Sequence, residues 1–259
     1  MATILDKIIE QKKIEVENQK KQVPVSELLL QERVREHYSL KQNLSKKGAS
    51  GIIAEFKRKS PSKGWINQQA ISTEIVPGYE KAGVSGSSIL TDFEFFGGNK
   101  SDLIEAGKLA RIPLLRKDFM IDEYQIIEAS KMGADVILLI AACLTPARVA
   151  ELADVALEFN LEVLLEIHNE KELKHICEDV TLVGVNNRNL HTFATSIETS
   201  VQLSNQIPDR YIKISESGIA TSNDIQYLRN YGFKGFLIGE SFMKTSNPGD
   251  ACKTFIDSI

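Results

Sequence analysis

Eight short and nearly continuous apolar runs, separated by segments with helical patterns, occupy the chain from about residue 51 onward. Parallel strands that are covered by helices show this continuous apolar character, because neither face of the sheet meets water. The segments between the runs carry helix-end signals, such as Thr145 and Pro146 at a start and Gly133 and Gly232 at ends. The pattern predicts a helix in each gap and strands at Gly51 to Phe56, Ser87 to Leu90, Ile112 to Arg116, Val136 to Ala141, Glu162 to Ile167, Leu182 to Val185, Tyr211 to Ser215 and Gly235 to Ile238.

The polar ends of these runs decide between two folds. Eight strand and helix units build either an open doubly wound sheet or a closed barrel. No GxGxxG motif follows the first run, and polar residues stand at the carboxyl end of many runs. Polar groups on many strand ends converge only if the strands form a ring. We therefore predict an α/β protein with a (β/α)8 TIM barrel.

The segment before the barrel predicts a helical extension. Residues 1–50 precede the first strand, and Ile4, Leu5, Ile8 and Ile9 recur in them at helical spacing. Such an apolar stripe needs a partner, so we expect the extension to pack on the barrel. A chain of 259 residues with 42% hydrophobic content is an ordinary size for one barrel. We predict a single domain over 1–259.

Charge composition bears on partners and location. The formal net charge is −4, with no excess of basic residues that would neutralise a phosphate backbone. Charged residues interrupt the apolar ones in Met1 to Glu10, so neither a signal peptide nor a membrane span fits. We predict a cytoplasmic protein that binds neither nucleic acid nor membrane.

The cysteines and histidines predict no metal site. Cys143, Cys177 and Cys252 are far apart, odd in number and without CxxC spacing, and no HExxH motif is present. His168 and His175 are expected to be ordinary satisfied or exposed side chains. We expect no metal, no disulfide and no cofactor.

The first apolar run ends in charge. Along a strand, alternate side chains share a face, so Ile53, Glu55 and Lys57 point one way and Ala54 and Phe56 the other. Buried charge is costly unless it is paired or used, so a structural ion pair is the plain alternative. The same pattern recurs at later strand ends, at Arg116, Lys117 and Asp118, at Glu166, at Asn186, Asn187 and Arg188, and at Ser215, Glu216, Ser217 and Gly218.

The last two strand ends carry a phosphate-binding pattern. The loops after strands seven and eight of such barrels commonly hold phosphate. Here they contain Gly218 and Gly239, whose backbone amides can approach an anion at the start of a helix. Glycines that merely turn the chain are the alternative for each loop alone. Two such loops at the two expected places favour a phosphorylated small molecule.

The mixture of charges suits acid and base chemistry. Lys57 and Lys117 would face the same cavity as Glu55 and Glu166, and burial or neighbouring charges adjust the pKa of such groups. The serines at these strand ends have no histidine neighbour in sequence, which argues against a serine hydrolase.

The order of these motifs resembles the indole-3-glycerol-phosphate synthase family of tryptophan biosynthesis over essentially the whole chain. The stretch from Ile52 to Ile66, with the pattern I-I-x-E-x-K-x-x-S-P, is similar to the family signature. Further matching blocks are Lys117-Asp118-Phe119, Leu164-Leu165-Glu166, Asn186-Asn187-Arg188, Glu216-Ser217-Gly218 and Ile238-Gly239. The resemblance implies a carboxy-lyase that closes 1-(2-carboxyphenylamino)-1-deoxyribulose 5-phosphate to indole-3-glycerol phosphate, with loss of carbon dioxide and water.

The resemblance also implies roles. Lys117 would polarise and protonate the ribulose carbonyl, Lys57 or Lys117 would act as the acid of dehydration, and Glu55 or Glu166 would take the last proton. Asn186, Arg188 and Glu216 would orient the ribulose hydroxyls and the anthranilate carboxylate. The phosphate would lie among Ser60, Ser217, Gly218, Gly239, Glu240 and Ser241, and the anthranilate ring would lie against Phe96, Phe119, Leu138 and Leu190.

Two rivals and one departure accompany this resemblance. A phosphoribosylanthranilate isomerase shares the barrel, but it lacks the long extension and ends its first strand in cysteine, where Glu55 stands here. A non-catalytic barrel that binds a phosphorylated metabolite is the second rival.

Some family members place a tryptophan of the extension near the ring, whereas the sole tryptophan here is Trp65, which we expect in a mobile lid. The resemblance further implies weak association with other tryptophan-pathway enzymes.

Overall fold

A closed parallel barrel is formed by eight strands within residues 3–190 and 192–259, which are the residues that the computed structural model describes. Each strand pairs with its chain neighbours, and the last strand pairs with the first. The (β/α)8 prediction is confirmed, and the open sheet is excluded. The strands are β1 (Ile52–Phe56), β2 (Gly86–Leu90), β3 (Leu114–Lys117), β4 (Val136–Ile140), β5 (Glu162–Ile167), β6 (Leu182–Asn186), β7 (Ile212–Glu216) and β8 (Phe233–Ile238).

Helices surround the barrel, with one difference from the prediction. Between β5 and β6 the gap holds a 3-10 helix, Glu170–His175, in place of an α-helix. Leu173 and Ile176 are three residues apart, which suits a helix of three residues per turn, and both pack against the outer core. The α-helices are α1 (Ile4–Gln22), α2 (Val25–Leu30), α3 (Leu40–Ser45), α4 (Ser72–Ala82), α5 (Phe93–Phe96), α6 (Lys100–Leu109), α7 (Glu123–Lys131), α8 (Pro146–Glu158), α9 (Glu198–Ser204), α10 (Ser222–Arg229), α11 (Glu240–Met243) and α12 (Pro248–Ile256), and a second 3-10 helix spans Ala141–Cys143.

Two apolar layers follow from the alternation of side chains along each strand. Ile52, Ala54 and Phe56 lie in the outer layer between strands and helices. Ile53 lies in the inner layer with Leu115 of β3 and equivalent residues of other strands. The predicted facing of β1 is therefore correct, and it directs Glu55 and Lys57 to the inside of the barrel.

The amino-terminal extension packs on both ends of the barrel. Leu40 and Leu44 of α3 join the inner layer at the amino-terminal end of the strands. Asp135, just before β4, binds the guanidinium groups of Arg33 and Arg35, with its oxygens 2.7 and 3.3 Å from their nearest nitrogens. Helix α1 instead reaches the opposite end, where the polar strand ends meet.

A small hairpin follows β1 and was not predicted. Lys59–Ser60 pairs antiparallel with Gly64–Trp65, and the half-exposed Trp65 ring lies against Gly97. Arg58 fixes the base of this hairpin through both oxygens of Asp102, at 2.5 and 2.7 Å. The expectation that Trp65 belongs to a mobile lid stays a prediction.

Within the part of the chain that the structure describes, no helix has the length and apolarity that crossing a membrane requires.

Candidate active site

One cavity of about 610 Å³ opens at the carboxyl ends of the strands. Its volume is that of a typical small-molecule site. Every site residue predicted from the sequence lines it, namely Glu55, Lys57, Ser60, Phe96, Lys117, Phe119, Leu138, Glu166, Asn186, Arg188, Leu190, Glu216, Ser217, Gly218, Gly239, Glu240 and Ser241.

The first strand contributes an ion pair to this cavity. Glu55 on β1 is almost fully buried, and its carboxylate accepts a hydrogen bond from the ammonium of Lys57, two residues on. Burial alone would raise the pKa of Glu55, but the charges of Lys57 and Lys117 outweigh it and hold that pKa below its usual value. Glu55 is therefore ionised at neutral pH.

Lys117, at the end of β3, lies at the centre of the charged groups. Its ammonium is 2.9 Å from Glu216 Oε2 and 3.6 Å from Glu166 Oε2. Burial disfavours the charged ammonium, yet the carboxylates of Glu216, Glu166 and Glu55 together raise the pKa of Lys117. Lys117 is therefore a protonated group that is surrounded by carboxylates.

The two carboxylates beside Lys117 are in different states. Burial and the nearby charge of Glu166 raise the pKa of Glu216 to about 7, although Lys117 opposes this. The pKa of Glu166 is lowered despite its burial, because Lys117, His168 and Asn186 all favour the ionised form. Glu166 is the ionised member of the pair at neutral pH, and Glu216 is partly protonated.

Two glycines make room for these acids. A Cβ at Gly184, on the neighbouring strand β6, would lie 2.2 Å from Glu216 Oε1. A Cβ at Gly239, at the end of β8, would lie 2.6 Å from Glu55 Oε1. Real Cβ atoms do not approach so closely, so each carboxylate occupies the space that a side chain would take. Gly239 was predicted only as part of the phosphate loop, and Gly184 was missed.

Asn187 joins the loops after β6 and β7. Its side-chain amide donates to Ser215 Oγ at 2.9 Å and to the carbonyl of Ser217 at 3.0 Å, and its Oδ1 accepts from Ser200. Ser217 and Gly218 are both in the left-handed region, with φ of 67° and 76°. Asn187 therefore fixes a turn of two successive left-handed residues, and both of them line the cavity.

The phosphate end of the cavity also has a cation that the sequence analysis missed. Lys63, in the turn of the hairpin, lines the cavity, and its ammonium is 3.5 Å from Glu240 Oε1. Its exposed position on a loop gave no strand-end signal. Lys63 can reach an anion held by the last two loops.

The apolar end has a wall built from two parts of the chain. Phe96 and Phe119 contact each other with ring centroids 6.0 Å apart. Ile4, Leu5 and Ile8 of α1 line the same cavity and belong to the same apolar cluster as these rings. The helical spacing of these three residues was visible in the sequence, but their place in the site was not.

A buried lysine holds α1 in this position, and sequence reasoning did not find it. The ammonium of Lys12 lies 2.8 Å from Asp92 Oδ2 and 2.9 Å from Asp118 Oδ1. Asp92 also caps α5 by accepting the Phe95 N–H, and Asp118 accepts the Phe119 N–H. Lys12 thus connects α1 to the segments that carry Phe96 and Phe119.

Comparison with known proteins gives the family. A family model described as "Indole-3-glycerol phosphate synthase" matches residues 5–255. The chain belongs to the indole-3-glycerol phosphate synthase family. A relative from Bacteroides thetaiotaomicron with that name is 49% identical over the whole of both chains. Another, from Polynucleobacter asymbioticus, is 41% identical over 97% of this chain and 98% of its own.

Solved structures agree on the fold alone. A 3-hexulose-6-phosphate synthase superposes with a TM-score of 0.64 at 13% identity, over 81% of this chain and 99% of its own. A tryptophan synthase from Pyrococcus furiosus gives 0.61 at 12% identity, over 81% and 97%. Both identities are too low to carry a function.

Proposed function

We propose that this chain closes 1-(2-carboxyphenylamino)-1-deoxyribulose 5-phosphate to indole-3-glycerol phosphate, with release of carbon dioxide and water. Family membership makes it a carboxy-lyase of tryptophan biosynthesis. The observation that carries the proposal is one cavity with an apolar wall, two lysine and glutamate sets in its centre, and a glycine-containing cradle. These three parts match an aromatic ring, a reacting chain and a phosphate.

The site would bind the substrate by its two ends. The phosphate is assigned to the loops after β7 and β8, where Ser217, Gly218 and Ser241 surround it, with Ser60 and Lys63 reaching from the hairpin side. The anthranilate ring is assigned to the wall opposite. Holding both ends would bring the ring carbon to the carbonyl, so that orientation supplies much of the rate enhancement.

Lys117 is assigned the first chemical step. The ring carbon that bears the carboxylate attacks the ribulose carbonyl, forms the new carbon–carbon bond and pushes an electron pair onto oxygen. Lys117 donates a proton to that oxygen, which becomes a hydroxyl. Its charge before reaction is maintained by Glu216 and Glu166 at 2.9 and 3.6 Å. Loss of carbon dioxide then returns the bonding electrons to the ring.

The second ion pair is assigned the dehydration. Lys57 donates a proton to the hydroxyl, which leaves as water, and a carboxylate removes the last proton from carbon. Glu55 remains the counter-ion of Lys57 because the two are hydrogen-bonded. We assign the last proton to Glu166, which is ionised and lies 3.6 Å from the Lys117 ammonium. Asn186, Arg188 and Glu216 orient the substrate hydroxyls and carboxylate.

Turnover of the carboxyphenylamino-deoxyribulose phosphate, followed by indole absorbance and fluorescence, tests the proposal. The parent should form product without added metal or cofactor, and Lys117→Met should be slower by about 10³-fold or more, the range for loss of a general acid. Lys108→Met, on the exposed face of α6, should match the parent. Tight binding by the parent without turnover would indicate the non-catalytic barrel instead, and absence of binding would contradict the proposal.

We also propose that the protein works in the cytoplasm and associates weakly with other enzymes of tryptophan biosynthesis, without a nucleic-acid or membrane partner. The net charge of −4, without an excess of basic residues, argues against a nucleic-acid partner, and family membership supports a place among the enzymes of tryptophan biosynthesis. Cell fractionation and cross-linking in extracts test it, and a membrane-bound fraction would contradict it.

A further inference from the structure

His168 lies behind the cavity, between two carboxylates. Its Nε2 is 3.3 Å from Glu166 Oε1, and its Nδ1 is 3.2 Å from Glu172 Oε2. The imidazole is largely buried, at 8% exposed, and is not among the described residues that line the cavity. It therefore reaches the substrate only through Glu166, which does line the cavity.

Glu172 is held in place independently of the imidazole. Its Oε2 accepts the backbone N–H of His168 at 2.7 Å, and its Oε1 accepts the amide of Asn169 at 2.6 Å. These bonds attach the first turn of the 3-10 helix Glu170–His175 to the end of β5. The fixed carboxylate in turn fixes the ring of His168.

The charges around His168 favour its protonated form. Burial would lower the pKa of His168, but Glu166 and Glu172 raise it to about 10. Cys143 lies within electrostatic reach of both carboxylates, and burial raises the pKa of its thiol to about 12, so it is neutral. The groups that act on Glu166 from the cavity side are Lys117, Glu216, Glu55 and Asn186.

We propose that His168 is a positioning residue, a cation shared by Glu172 and Glu166 that keeps Glu166 ionised and aimed at the substrate throughout the reaction. The reason is that Lys117, the other cation beside Glu166, gives up its proton in the first step. Without a second cation behind it, Glu166 would then be neutralised by the proton that Glu216 carries. This inference rests on the proposed function for its meaning, but its electrostatic part can be measured alone.

The first experiment is a pH titration of the histidine side chains by NMR on the protein labelled with ¹⁵N-histidine. The signals of His168 are assigned from their loss in His168→Gln. In the parent, the His168 ring should stay doubly protonated up to pH 9, and in Glu172→Gln its titration should move to lower pH. A His168 ring that loses its proton near pH 6.5 in the parent would overturn the proposal, whatever reaction the enzyme catalyses.

The second experiment measures kcat and KM against pH for His168→Gln and Glu172→Gln. In both variants kcat at pH 7 should fall by about tenfold with KM changed little, and the acidic limb of the kcat profile should move to higher pH. Glu170→Gln, on the exposed side of the same 3-10 helix, is the matched control and should resemble the parent. A profile that coincides with that of Glu170→Gln would overturn the proposal, and an inactive parent would refute the proposed function instead.

Discussion

Glu166 and Glu216 are the same kind of side chain, yet the barrel gives them different protonation states. Both are buried beside Lys117, but Glu166 also has His168 behind it, whereas Glu216 has the negative charge of Glu166 nearby. Environment rather than residue type therefore assigns a base and a proton-bearing group. The same arrangement makes Glu216 the acid that is costly to ionise.

That cost predicts a pH-dependent stability effect at Glu216. Its pKa is about 7 in the folded protein against 4.5 for a free side chain, so the folded state holds the proton more tightly. The stability from this group is complete below pH 4.5 and is lost as pH rises from 4.5 to 7. Between pH 5 and pH 8, the free energy of unfolding of Glu216→Gln should therefore improve relative to the parent, by up to about 3 kcal/mol.

Urea unfolding at the two pH values measures this difference. Glu55 and Glu166 have lowered pKa values, so their stabilisation is lost only below the free glutamate range and does not overlap this window. A difference between Glu216→Gln and the parent that stays constant from pH 5 to pH 8 would contradict the assignment of the raised pKa to Glu216.

At the scale of elements, α1 is part of the site because of Lys12. Removing one partner of a buried ion pair leaves the other uncompensated, so Lys12→Met should destabilise the protein by about 3–5 kcal/mol. Because α1 carries Ile4, Leu5 and Ile8 to the cavity, KM should rise more than kcat falls. Steady-state kinetics and urea unfolding measure both effects.

Lys13→Met is the matched control for that variant. Lys13 is the next residue on α1, and it is exposed and paired with the exposed Glu10. The Lys13→Met variant should keep KM and the free energy of unfolding near the parental values. If Lys12→Met changed stability without changing KM, α1 would be a structural helix only.

The elements that sequence predicts best here are the barrel strands, because burial on both faces requires continuous apolar runs. β5 (Glu162–Ile167) was predicted to the residue, and each of the other strands differs from its prediction by one or two positions at one or both ends. The hairpin Lys59–Ser60 and Gly64–Trp65 was missed because two-residue strands carry no periodicity. α5 was missed because its four residues are too few to show a helical stripe.

At the scale of the molecule, the two ends of the barrel have different tasks. The carboxyl ends of the strands carry the cavity, whereas Asp135 at the opposite end binds Arg33, Arg35 and two backbone N–H groups. Asp135→Asn should therefore lower stability by about 3 kcal/mol and leave kcat and KM unchanged. Asp154→Asn, on the exposed side of α8, should change neither stability nor kinetics. A loss of kcat in Asp135→Asn at temperatures where it is fully folded would contradict this division.

Without the family resemblance, the site was predictable only where a polar residue follows an apolar run. Glu55, Lys57, Lys117 and Glu166 follow apolar runs, so their burial and direction could be inferred from alternation. Lys12 lies in a mostly polar stretch of α1, and its partners Asp92 and Asp118 lie about a hundred residues further along the chain. Three-dimensional pairing of that kind leaves no local pattern.

Gly184 and Gly239 take no part in the chemistry, but the space that they leave open belongs to Glu216 and Glu55. At these two positions any side chain would collide with a buried carboxylate, so the absence of a side chain is required there. Mutational scanning should therefore rank both glycines with the catalytic acids among the least tolerant positions. If this barrel evolved toward another reaction, Glu216 and Glu55 would have to be replaced first, and only then could Gly184 and Gly239 vary.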